Sequence, residues 1–99
     1  MQKEKVVKQD KTKGFTAARI LYEAAYIASQ NGRRVGTFEI QSHLEALGIN
    51  VDIRTVQRDL KILSKHFVHL KSDNCSPQGF YFAKDKESQF IAELLKEVA

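Results

Sequence analysis

The chain has 99 residues, 42% of them hydrophobic, with a formal net charge of +4 and one cysteine. A chain of that length buries one modest core, which predicts a single domain and excludes large enzyme architectures; a lone cysteine excludes an intramolecular disulfide or a thiolate metal cluster and fits a reducing cytoplasm. The positive balance favours anionic partners and is unevenly spread: residues 1–13 carry +3, 14–52 carry −1, 53–71 carry +4 and 72–99 carry −2.

Residues 1–14 hold Lys3, Lys5, Lys8, Lys11 and Lys13 with only Val6 and Val7 as apolar content, the composition of a flexible basic arm. The stretch lacks the apolar core of a signal peptide, and no apolar run approaches the roughly 18 residues of a membrane span, so a cytoplasmic chain is expected. "FTAARILYEAAYIASQNG" predicts a helix over residues 17–31, capped by Thr16, ended by Gly32 and turning Ile20, Leu21, Ala24, Ile27 and Ala28 inward. Arg34-Val35-Gly36 is long enough only for a connector or a short strand. "TFEIQSHLEALG" then predicts a second helix capped by Thr37 and stopped by Gly48, with Ile40, Leu44 and Leu47 as its buried stripe. His43 lies beside that stripe, as a surface group or a helix–helix contact.

After a short turn from Gly48 to Asp52, "IRTVQRDLKILSKH" predicts a third helix from Ile53 to His66 with Asp52 as N-cap. At about 100° per residue, Ile53, Leu60, Leu63 and Phe67 fall within roughly 60° of Val56, whereas Arg54, Arg58, Lys61 and Lys65 fall on the opposite side. One face is core and the other cationic. Asp59 borders the buried side and is expected to pair with a basic group, Arg19 being the candidate, and so to orient this helix. "FVHLK" and "GFYFA" around the turn-rich "SDNCSPQ" predict an antiparallel hairpin with Phe80 and Phe82 facing the core. "KESQFIAELLKEVA" repeats the helical signal. The predicted fold is therefore mainly α with a small β-hairpin: a winged helix–turn–helix of three helices plus wing over residues 15–86, and an additional C-terminal helix over 87–99.

"RTVQRDL", Arg54 to Leu60, followed by "GFYFAKD", resembles the N-terminal DNA-binding domain of the WYL-type bacterial transcription regulators, in the DeoR-like winged-helix group; the resemblance covers roughly residues 17–86. It implies a bacterial or phage regulator, nucleoid-associated, in which Arg54, Thr55, Gln57 and Arg58 approach base edges and Lys61 and Lys65 approach phosphates. Thr37 and Lys71 complete the expected phosphate contacts. The residue chemistry agrees, because arginine pairs bidentately with guanine and glutamine with adenine in a major groove that admits one helix. A homodimer is expected, joined by the terminal stripe Phe90, Ile91, Leu94, Leu95 and Val98. No cofactor or catalytic constellation is evident: His66 and His69 have H-x-x-H spacing without a completing ligand set, and Cys75 reads as a partly exposed thiol in the wing turn. A winged-helix protein-interaction module with a merely solvated basic face, and an RNA-binding module, are the other readings.

Overall fold

A computed structural model describes residues 16–73, 75 and 78–98; the expected basic arm over 1–14 lies outside them. The described chain is mainly helical with one small three-stranded antiparallel sheet.

Helix α1 spans residues 16–28. Its buried positions include Arg19, Glu23, Ala24, Ala25, Ile27 and Ala28, while Leu21, expected inside, is 45% exposed. The reason is polar: Arg19 and Glu23, one turn apart, turn inward toward Asp59, and that rotation carries Leu21 to the outside. The helix also stops short of residue 31, because the amides of Gln30 and Asn31 bond only three residues back and the chain then enters left-handed backbone at Asn31 (φ 56°) and Gly32 (φ 86°).

Strand β1 is Val35–Gly36, and helix α2, Thr37–Ala46, follows without a loop. Thr37 was expected as the cap, but Gly36 occupies that position, with no side-chain cap bond, because its extended backbone is already held in the sheet opposite Gly79. At the other end Gly48 (φ 85°) closes a Schellman turn: the Ile49 amide bonds Leu44 O at 2.9 Å and the Gly48 amide bonds Glu45 O at 2.9 Å. This swings Ile49 into the core, where it is 4% exposed, and leaves Leu47, assigned by its spacing to the buried stripe, 46% exposed. Gln41 Nε2 donates to Val51 O at 3.0 Å and pins the turn against α2.

Helix α3 spans Ile53–His66 and begins as its sequence predicts, with the Asp52 carboxylate accepting from the Thr55 amide at 2.9 Å. Val56 and Leu60 are fully buried, and Leu63 and Phe67 pack against the core cluster from its edge. Strands β2, Leu70–Ser72, and β3, Gly79–Phe82, form the expected hairpin, and β1 adds to it, giving the order β1-β3-β2. Phe80 and Phe82 both face the core; burying each stabilises the fold by roughly 1.5–3 kcal/mol. Phe67 meets the Phe82 ring edge-on with centroids 6.0 Å apart.

Helix α4, Lys86–Lys96, is capped by Asp85, which accepts from the Ser88 amide at 3.0 Å and the Ser88 hydroxyl at 2.8 Å. The terminal apolar stripe does not act as one surface. Ser88 and Ala92 face the core, and the half-buried Ile91 and Leu95 pack against it. Small side chains at 88 and 92 let this helix lie close to the sheet, so the larger Phe90 (64%) and Leu94 (55%) point outward. Lys96 Nζ donates to Asn31 Oδ1 at 2.9 Å and ties the end of α4 to the turn after α1. Among the described residues no helix is long and apolar enough to cross a membrane.

Candidate nucleic-acid interface

At 1.5 Å per residue α3 is about 21 Å long, and its inner side is bolted to α1 by a buried two-point ion pair. Arg19 Nε donates to Asp59 Oδ2 at 2.7 Å and Arg19 Nη2 to Asp59 Oδ1 at 3.1 Å. The Asp59 bond and charge raise the guanidinium's pKa above its ordinary value despite burial. A planar fork fitted to a carboxylate fixes orientation as well as distance, so the pair sets the rotation of α3 about its own axis.

That rotation exposes Arg54, Gln57, Arg58, Lys61 and Lys65 together. The arginines divide into two groups. Arg19 pairs with Asp59, Arg33 with Glu39 and Arg34 with Asp73, each bracing two parts of the fold. Arg54 and Arg58, with Lys61, Lys65 and Lys71, form no ion pair with any carboxylate among the described residues. The nearest compensation is Asp52, whose carboxyl is held below its ordinary value first by hydrogen bonds from Thr55 and then by the charges of Arg54 and Arg58. Thr55, expected to face bases, is thereby engaged in the helix cap and half-buried.

The other expected contacts are placed unequally. Thr37 is only 7% exposed and lies in the floor of a groove of about 270 Å³ between α2, α3 and the segment entering β3. Gln57 and Lys61 form one wall of that groove, Gln78 another, Phe80 closes its base and Phe38 stands at its rim. Lys71 is exposed on β2, opposite Tyr81 in the hairpin register. The hairpin loop is held by Asp73, whose Oδ1 accepts from the Gly79 amide at 2.9 Å and the Cys75 amide at 3.0 Å while Arg34 binds its other oxygen. These bonds lower the Asp73 carboxyl to about 2. Cys75 is an exposed free thiol.

His43 and His69 make contacts within the fold. His43 stacks on Tyr26 with centroids 4.3 Å apart, and burial lowers its pKa, while the Tyr26 hydroxyl donates to Glu39 at 2.6 Å. His66 is exposed at the end of α3, apart from His69, whose Nδ1 lies 2.8 Å from Ser88 Oγ. His69, Asp85 and Glu87 do bring ligand atoms within 4.8 Å of one another, but His69 Nδ1 and both Asp85 oxygens are already engaged by Ser88.

Two features had no signal of their own in the sequence. Glu23 is fully buried beside Arg19, with its Oε2 3.9 Å from Arg19 Nε and neither oxygen accepting a hydrogen bond from a donor among the described residues. Phe38, the second residue of α2, is 65% exposed. The i, i+4 spacing of Arg19 and Glu23 was readable as a surface pair, which is the ordinary place for one. No protein-family model matches the chain, and neither a curated protein nor a solved structure matches it.

Proposed function

We propose that this protein is a winged helix–turn–helix module that binds duplex DNA sequence-selectively as a transcription regulator, with α3 as the recognition helix in the major groove. The element order supports this reading: α1, β1, α2, α3 and the β2–β3 hairpin follow the winged-helix plan, with the hairpin as wing and α4 as an addition. The likeness of Arg54 to Leu60 to WYL-type regulators points the same way. The single observation that carries it is the division among the arginines. A fold with carboxylates available to brace Arg19, Arg33 and Arg34 leaves Arg54 and Arg58 without an ion pair among the described residues, beside Lys61 and Lys65, on the outer face of a helix whose rotation is locked from behind. Unpaired guanidinium forks on a rigid helix are groups that can pair with guanine O6 and N7, and the lysines suit phosphates. Arg54, Gln57 and Arg58 read bases; Thr55 acts through the cap; Lys61, Lys65 and Lys71 contact the backbone.

Titration of labelled duplexes at several salt concentrations tests the reading. Binding should weaken linearly in log–log form, with a slope of about 0.9 per phosphate neutralised, and a pool of random duplexes should yield an enriched site. Duplex RNA competing as well as duplex DNA would favour the RNA-binding alternative, and no salt-dependent binding to either would favour a protein-interaction module.

A further inference from the structure

We propose that the groove between α2, α3 and the wing is an A·T-reading subsite in which Phe38 contacts the 5-methyl group of a thymine beside the adenine taken by Gln57. The inference rests on the DNA-binding reading above and adds to it a specificity-determining residue outside the recognition helix. Phe38 is 65% exposed in the first turn of α2, a position where water-facing residues are normally polar and acidic groups are favoured by the helix dipole. Its ring gains little from the core and lines the groove that Gln57 and Lys61 of α3 also line. Within the same groove of about 270 Å³ lie Gln57 and Lys61 of α3, one turn apart, over a floor made by buried Thr37 and Phe80. Each wall suits one part of an A·T pair. A glutamine amide donates to adenine N7 and accepts from N6, an ammonium one turn along meets the flanking phosphate, and an exposed apolar edge matches the thymine methyl, the one apolar group that the major groove presents. The groove is polar on the α3 side and aromatic at its α2 rim, so the pair has a preferred orientation across it.

The test uses the duplex enriched from a random pool by the full chain, with each thymine in turn replaced by deoxyuridine, which removes only the 5-methyl group. Affinities are measured for the unaltered protein, Phe38→Ala and Phe38→Leu, after circular dichroism melting has verified that each variant folds. Burial of one methyl group corresponds to about a fourfold change in affinity. One thymine should therefore cost the unaltered protein about fourfold when replaced, Phe38→Ala should lose about as much on the thymine duplex and nothing further on deoxyuridine, and Phe38→Leu should keep part of the sensitivity. Equal deoxyuridine penalties in the unaltered protein and Phe38→Ala, or no sensitive thymine, would overturn the proposal; so would a Phe38→Ala loss that persists unchanged on deoxyuridine, which indicates a sugar contact. In each of those cases continued loss of affinity in Arg54→Ala leaves the DNA-binding reading standing, whereas failure to enrich any duplex overturns both.

Discussion

Replacing Glu23 with glutamine isolates the most unusual electrostatic feature of the molecule. The carboxyl is fully buried, and burial, followed by a hydrogen bond with Asp59 and the Asp59 charge, raises its pKa from 4.5 to about 9, against the opposing pull of Arg19. A carboxyl raised in this way is protonated in the fold and ionised in the unfolded chain throughout neutral pH. The stability it permits is complete below about pH 4.5 and declines as pH rises toward 9, where the folded state also releases the proton. At about 1.4 kcal/mol per pH unit, the loss reaches about 3–4 kcal/mol at pH 7. Glutamine is nearly isosteric with the neutral acid and has no proton to lose. Urea unfolding followed by circular dichroism at pH 5, 6, 7 and 8 should show Glu23→Gln gaining on the unaltered protein at every step, by about 4 kcal/mol over the range, whatever the other groups contribute, because they are common to both. Parallel stability–pH curves would refute the reasoning and mean that Glu23 ionises in the fold at its ordinary value.

Three further outcomes follow from the geometry. Asp59→Ala leaves Arg19 buried without its fork partner and should cost about 3–5 kcal/mol in urea unfolding, whereas Arg54→Ala and Arg58→Ala on the exposed face should change stability by about 0.5 kcal/mol or less. Asp73, lowered to about 2, contributes stability above its ordinary value of 3.8 that is lost as pH falls toward 2, so the Gly79 amide should keep its hydrogen-exchange protection at pH 4.5 and lose it in Asp73→Ala, which removes the acceptor. If the exposed pair Phe90 and Leu94 joins two copies, Leu94→Asp should convert a dimer into a folded monomer in sedimentation equilibrium; an unaltered chain already monomeric at tens of micromolar would remove α4 as the dimer contact.

What could be read from the residues was whatever local chemistry dictates. Asp52 caps α3 because a carboxylate before a helix finds free amides whatever the tertiary context, and Gly48 ends α2 because only a left-handed position lets Ile49 return to Leu44. The pairing of Arg19 with Asp59 was also legible, since a carboxylate on the border of an apolar stripe needs a buried cation. The failures are positions where contact between elements overrides periodicity. Leu47 fits the stripe of α2 by spacing, yet the turn that buries Ile49 displaces it. Leu21 fits α1, yet the inward pull on Arg19 and Glu23 rotates the helix. Along α4 the close approach through Ser88 and Ala92 decides how far each apolar residue is covered, half for Ile91 and Leu95 and little for Phe90 and Leu94. At the candidate site the cations on α3 were evident from sequence; that they form no ion pair among the described residues, and that Phe38 and Gln57 share a groove, depends on where α2 and the β2–β3 hairpin lie.

The measurement that tests the central claim most directly is the affinity of the full chain, Arg54→Ala and Arg58→Ala for the enriched duplex and for a scrambled one at a fixed salt concentration. The account predicts that each substitution costs about 1–3 kcal/mol on the enriched duplex, with a much smaller change on the scrambled one, because a lost base contact erodes selectivity more than charge attraction. Equal affinity of all three proteins for the enriched duplex, with folding intact, would contradict the assignment of α3 as the helix that reads DNA.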